Sequence, residues 1–218
     1  VDHGPGVLIP PLVNCHLHLE LSALKNAVPY DKGFRGWVKT LPEKRDALGN
    51  KKLRQGAGAA VRDLEKSGTL YVGDVSTLNL TGPELQASQL RGICFNEYLG
   101  TQIEKWTAVK KDDISFSLAG HAPHTTSPDV LVALKRAADK AGLPFSIHLA
   151  ESVDESEFIR NRKGPWADFL LSREIDFSGW GKKGLSPVEY VSSLGLLEKN
   201  TLVIHALDVS KSDLNILA

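Results

Sequence analysis

Methionine is absent from all 218 residues, cysteine occurs only twice, and acidic and basic side chains cancel at 26 each. The charge balance excludes a chain that binds nucleic acid mainly by electrostatics, because such a protein carries a basic excess. Cys15 and Cys94 both fall in strand-like runs, which argues against a disulfide-stapled scaffold and points to a reducing cytoplasm. No apolar run approaches the roughly 20 residues needed to cross a bilayer. The N-terminal one, Val7 to Val13, is broken by Pro10 and Pro11, and no charged region precedes it as it would in a signal peptide. A Gly-rich phosphate loop after the first strand-like run is also missing, which weakens a nucleotide-binding sheet. The chain begins at Val1 and holds no methionine. A piece of a longer polypeptide, or spacings shortened by omitted residues, is therefore expected.

What is present is an alternation of two periodicities. Apolar and β-branched residues predict strands over Leu12–Glu20, Thr69–Ser76, Leu90–Leu99, Ile114–Gly120, Pro144–Glu151 and Thr201–Leu207. Helix signals fall between them. Leu53, Ala57, Ala60, Val61 and Leu64 form one apolar face, with Gly68 as a stop. Ser127-Pro128 opens a helix that Gly142 closes, Ser186-Pro187-Val188-Glu189 reads as a capping box, and Ser210 to Asp213 opens a last helix. Alternating strands and helices at this spacing imply parallel strands with crossover helices, as a doubly wound sheet or as about six of the eight units of a (β/α) barrel.

The chemistry lies in where histidines fall. Alternate residues of a strand share a face, so in Asn14 to Glu20 the side chains of His16, His18 and Glu20 are expected together, with the two histidines roughly 6.6 Å apart along the strand. The same parity test sets His148 opposite the apolar Phe145, Ile147 and Leu149, and places His121 in line with Ser115, Ser117 and Ala119. His205 ends the sixth strand. Histidines at the C-terminal ends of four strands lie where barrel active sites are built. A single strand histidine is more often a hydrogen-bonded core residue, but a His-x-His pair on a buried face needs partners and points to a metal. Glu151 alone could be a helix-entry acid; Asp74 could reach the site from the second strand but reads more readily as a turn-forming acid, and His124 is either a substrate contact or a rim residue. Asp2 and His3 read as a solvated lead-in. Trp37, Trp106, Trp166 and Trp180 read as packing.

The string LIPPLVNCHLHLELS, Leu8 to Ser22, resembles the first barrel strand of amidohydrolase-superfamily enzymes, with Pro11 where glycine is usual. GHAPHTTSP, Gly120 to Pro128, is similar to that family's segment after strand four, with His124 at a tyrosine position. HLAES, His148 to Ser152, and VIHAL, Val203 to Leu207, look like its strand-five and strand-six motifs. Order and spacing agree over essentially the whole chain, and together these motifs are specific. Within the superfamily the set is closest to the aminohydrolases that deaminate cytosine, guanine, methylthioadenosine and aminofutalosine. With Phe34-x-x-Trp37 and Ser186-Pro187-Val188-Glu189-Tyr190 it looks most like the aminofutalosine deaminases.

The resemblance implies a metal-dependent hydrolase built on a (β/α)8 barrel, with residues 1–11 as a lead-in from the usual β-sandwich and 12–218 as an incomplete barrel. It implies that His16, His18 and His148 hold one divalent ion, zinc or iron, which activates water. Glu151 would move the proton, His205 would hydrogen-bond the reacting centre, and His121, Glu20 and His124 would contact the substrate. The substrate would be a small aminated purine-like or other heterocycle that loses ammonia, with no nucleic-acid or membrane partner and a homo-oligomer left open. Dechlorination or cyclic-amide hydrolysis would use the same residues. The family's strand-eight aspartate has no counterpart here, since Asp208 and Asp213 follow strand six. A non-catalytic barrel fragment, or one that binds metal poorly, is therefore the rival expectation, and unpaired strand edges would favour association.

Overall fold

The computed structural model describes residues 4–29, 31, 33–102, 109–111 and 113–218; of residues 33–35 only the backbone is described. Asp2, His3 and Trp106, and the side chain of Phe34, lie outside the described residues. Among the described residues six strands follow chain order in one sheet: β1 (Leu12–Leu17), β2 (Thr69–Ser76), β3 (Arg91–Tyr98), β4 (Ile114–Gly120), β5 (Phe145–Leu149) and β6 (Thr201–His205). The pairings of β1 with β2, β4 with β5 and β5 with β6 are parallel. Among the described residues seven α-helices accompany them: α1 (Gly33–Lys66), α2 (Gly82–Gln86), α3 (Pro128–Lys140), α4 (Val153–Asn161), α5 (Pro165–Ser172), α6 (Pro187–Ser193) and α7 (Lys211–Leu217). None among the described residues is long and apolar enough to cross a membrane. The chain divides into two compact units, Val1–Cys94 with Lys111–Ser115, and Phe95–Lys110 with Phe116–Ala218.

In the first unit, α1 is interrupted at Gly49, whose φ of 73° no helix accommodates. The half beyond it buries Leu53, Ala57 and Val61. This half lies against a 3₁₀ segment, Leu19–Leu24, that follows β1. Gly56 permits the approach, because a Cβ there would stand 2.6 Å from the Cβ of Ala23.

In the second unit the apolar faces of β4 and β5 meet the helices. Leu118, Phe145, Ile147 and Leu149 pack with Leu131 and Leu134 of α3, Phe158 and Ile159 of α4, and Val188 and Val191 of α6, all almost completely buried. Serine caps define the helix starts. Ser127 accepts the N–H of Val130 at the head of α3, and capping boxes open α6 at Ser186–Glu189 and α7 at Ser210–Asp213.

Candidate active site

In the first unit β1 carries His16, and His18 follows one residue beyond the strand's end. Their rings meet edge to face with centroids 4.8 Å apart. Glu20 does not join them as strand parity predicts. The strand stops at Leu17 and the backbone turns into the 3₁₀ segment, so alternation no longer applies. Glu20 is 1 % exposed, and its carboxylate accepts the Ser76 hydroxyl at 2.6 Å and the N–H groups of Thr77 and Leu78 at 2.9 and 3.1 Å. With both oxygens so occupied, Glu20 anchors the segment after His18 to the end of β2 and has no surface to offer a substrate.

Asp74 forms no turn. It lies within β2, fully buried, and accepts the N–H of Leu19 at 2.9 Å and the Thr81 hydroxyl at 2.5 Å. Burial pushes its carboxyl up to about 6 against the hydrogen bonds that oppose the shift. The same burial, with Asp74 beside it, pushes the Cys94 thiol up to about 12, which leaves it an inert core group.

The second unit gathers the remaining histidines. His121 follows β4, His148 lies in β5, and His205 closes β6. The His148 ring lies 5.1 Å from that of His121 and stacks 5.3 Å from that of His205. The His148 Nδ1 is 2.9 Å from the His121 carbonyl oxygen. A carbonyl only accepts, so Nδ1 carries the proton and Nε2 is the nitrogen with a lone pair. Glu97, 6 % exposed on β3, adds a carboxylate oxygen 3.5 Å from the same Nδ1. Glu97, His121 and His148 each bring a ligand atom to within 4.8 Å of the others. The His121 Nδ1 pairs with the Thr125 hydroxyl at 2.6 Å. Beyond His148, the Glu151 Oε1 lies 3.4 Å from the His205 Nε2, and both side chains are partly open to solvent.

His124 adjoins this cluster, its ring 6.4 Å from that of His121, but lies in the interior. It is 2 % exposed, with its ring 4.3 Å from that of Trp166 and its Nδ1 3.7 Å from Glu155 Oε2. Burial lowers the His124 pKa well below its usual value and raises that of Glu155 to about 8. The imidazole is therefore uncharged at neutral pH, and this contact is not an ion pair. His124 therefore packs in the interior rather than at a ligand-accessible rim.

Sequence reasoning missed Glu97 and Glu155. Glu97 shows the signal used for the histidines, a polar residue near a strand's C-terminal end, but without a histidine beside it. Glu155 gave no signal beyond that of an ordinary acid in a helix's first turn. Asp208 accepts a hydrogen bond from the Ser156 hydroxyl, and Asp213 accepts from those of Ser186 and Ser210. Asp208 ties α4 to the turn after β6, and Asp213 ties α7 to the head of α6.

The donor set suits a divalent ion such as zinc. Imidazole nitrogens are its common ligands, and a ligating histidine usually gives its other N–H to a carbonyl or carboxylate. The His121 carbonyl and Glu97 supply that arrangement at His148. A glutamate facing an imidazole at the edge of such a site can take up and return a proton.

A model of the amidohydrolase family matches residues 7–218. The chain belongs to that family. Like other amidohydrolases it has relatives among deaminases. It is 28 % identical to an aminodeoxyfutalosine deaminase of Deinococcus radiodurans, over 98 % of this chain and 54 % of the relative. The fold is shared with Helicobacter pylori aminofutalosine deaminase in complex with methylthio-coformycin, at a TM-score of 0.78 and 23 % identity, over 95 % of this chain and 53 % of that one. It is also shared with atrazine chlorohydrolase from Arthrobacter aurescens complexed with zinc, at a TM-score of 0.72 and 14 % identity, over 95 % and 51 %. These likenesses identify the six strand–helix units as part of an amidohydrolase barrel. The chain spans about half the length of the curated relatives it matches.

Proposed function

We propose that this amidohydrolase acts, in the protein as encoded, as a metal-dependent deaminase of an aminated purine-like or related heterocycle. The observation that carries the reading is the cluster in the second unit. His148 is held as the Nδ1–H tautomer between His121 and His205, and Glu151 faces His205 at 3.4 Å. His16, His18 and His148 would hold one divalent ion, zinc or iron. When bound, such an ion supplies Lewis acidity that lowers the pKa of water toward neutrality.

The chain's own groups account for the proton movements. The Glu151 carboxylate takes a proton from water as the water oxygen bonds to the carbon bearing the amino group and the adjoining ring C=N bond opens; of the two water protons, one goes to the departing amine and the other to the ring nitrogen, relayed by Glu151. The C–N bond breaks, ammonia leaves and a carbonyl forms. His205 Nε2, within reach of Glu151, donates a hydrogen bond to the oxygen or to the tetrahedral centre. His121 contacts the heterocycle and, through its carbonyl, keeps His148 in register.

Relatives that are named deaminases support loss of ammonia over other leaving groups. The test is ammonia release from a panel of adenosine-type, guanine-type and pterin-type substrates by the zinc-loaded protein. No ammonia from any of them would sink the deaminase reading.

A further inference from the structure

We propose that Glu155 is a positioning residue whose buried carboxylate grips two consecutive N–H groups of the turn after β5 and so holds Glu151 against His205. The proposal rests on the deaminase reading for what Glu151 does, but not for the grip.

Glu155 stands third in α4, after the N-cap Ser152, whose hydroxyl accepts the Glu155 N–H. At that position an acid normally returns to the N–H of its own cap. Glu189 does so to Ser186 at 2.7 Å, and Asp213 to Ser210 at 2.8 Å. Glu155 instead reaches past its cap. Its Oε1 accepts the N–H of Ala150 and its Oε2 the N–H of Glu151, each at 2.9 Å. The departure serves the turn rather than the helix.

That turn needs holding. Ala150 has a φ of 52°, in the left-handed region that a residue with a Cβ adopts only under constraint. Its carbonyl accepts the N–H groups of Leu207 and Asp208, and the Leu149 carbonyl accepts that of Ala206. The turn after β5 is thereby locked to the turn after β6, where His205 and Ala206 have φ of 76° and 49°. Three left-handed residues without glycine thus sit in two joined turns that present Glu151 and His205 to each other. Beneath them Glu155 is fully buried, and His124, packed on Trp166, faces its second oxygen. No solvent stands ready to replace the carboxylate as acceptor. Losing it would let the turn relax, and a shift of about 1 Å in a proton-transferring group can lower a rate on the order of a hundredfold.

The test compares Glu155→Gln with Ser152→Ala in the protein as encoded, loaded with zinc. Glutamine keeps the shape and one acceptor but turns an NH₂ toward one of the two N–H groups. The expected result is a kcat at least about tenfold lower, with KM within about twofold and zinc content unchanged, together with amide hydrogen exchange at residues 150 and 151 at least about tenfold faster. Ser152→Ala removes a cap from the same helix but leaves the grip, and should lower Tm while kcat stays within about twofold. Adding Ala150→Gly to Glu155→Gln should restore kcat at least about threefold, because glycine holds a positive φ without help.

An unchanged kcat and unchanged exchange in Glu155→Gln would overturn the proposal, as would a Ser152→Ala variant that reproduces the kcat loss. If the parent releases no ammonia, the deaminase reading fails, and exchange at residues 150 and 151 alone decides the grip. If Glu155→Gln does not fold, exchange in the parent decides. Slow exchange at both amides supports the grip, and fast exchange at either overturns it.

Discussion

Changing Glu20 separates an anchoring role from a substrate-contacting one. Its carboxylate, itself buried, satisfies three donors: the buried Ser76 hydroxyl and the partly buried N–H groups of Thr77 and Leu78. A buried donor left without an acceptor costs about 1–3 kcal/mol. Three such donors, at the lower end of that range and with some relaxation, make Glu20→Ala destabilising by roughly 3–5 kcal/mol. Against a total stability of about 5–15 kcal/mol, that is a large share.

Glu20→Gln keeps one acceptor and the same volume, and should cost roughly 1–2 kcal/mol. Because the anchored segment begins immediately after His18, the alanine variant should also bind zinc more weakly, with the glutamine variant less affected. Urea unfolding followed by tryptophan fluorescence and a calorimetric zinc titration would measure both effects. A Glu20→Gln variant with an unchanged unfolding midpoint but a KM raised more than about tenfold would refute the reasoning and return Glu20 to the substrate.

His16→Ala, His18→Ala and His148→Ala should each reduce bound zinc from about one equivalent to about none, as metal analysis would show; retention of zinc in any of the three would remove that residue from the ligand set. Asp74 has its carboxyl raised to about 6 by burial, so the folded state binds more protons than the unfolded chain between about pH 4 and 6. Its contribution to stability is therefore full below about pH 4 and is lost as pH rises to about 6, a change of about 2–3 kcal/mol at most. Asp74→Asn should flatten this part of the stability–pH curve in denaturant titrations, and an unaltered curve would contradict the assignment. Gly92, at φ 137°, leaves no room for a side chain, since a Cβ would stand 1.9 Å from the Val72 carbonyl oxygen. Gly92→Ala should cost about 3 kcal/mol or more, read as a lower Tm. A Tm within about 2 °C of the parent would contradict that close approach.

The strands and the histidines were legible because both depend on short-range pattern. β2 and β4 have the expected bounds, and the other four differ only at their ends. His121, His148 and His205 stand at or near strand C-termini because two-residue alternation fixes which face a strand residue takes. Parity failed where the strand itself ended: two residues beyond Leu17 the chain is 3₁₀, and Glu20 turns inward. Helices α4 and α5 went unread because the 27 residues between Glu151 and Gly179 carry mixed signals, with Gly164-Pro165 breaking one short helix from the next. The partners of Asp74 and Glu155 were beyond any local pattern. What decides their role is which backbone N–H the fold brings within 3 Å of a carboxylate, and sequence spacing does not encode that distance.

Those two acids and Glu20 share a physical logic that bears on how such a site is read. A side chain at the end of a strand is only as well placed as the turn that follows it, and the turn's N–H groups have left the sheet's ladder and need new acceptors. In the first unit, Asp74 and Glu20 meet that need around the segment after His18. In the second, Glu155 meets it after His148. Glu20, Asp74 and Glu155 are thus taken up by backbone, and counting these three as ligands or catalysts would overstate the chemistry available. The discriminating observation is what the carboxylate itself accepts. Glu151 gives up its own N–H to Glu155, while its carboxylate faces His205 and remains 23 % exposed. On the proposed deaminase reading, this is why Glu151 rather than Glu155 would exchange a proton with a substrate beside His205.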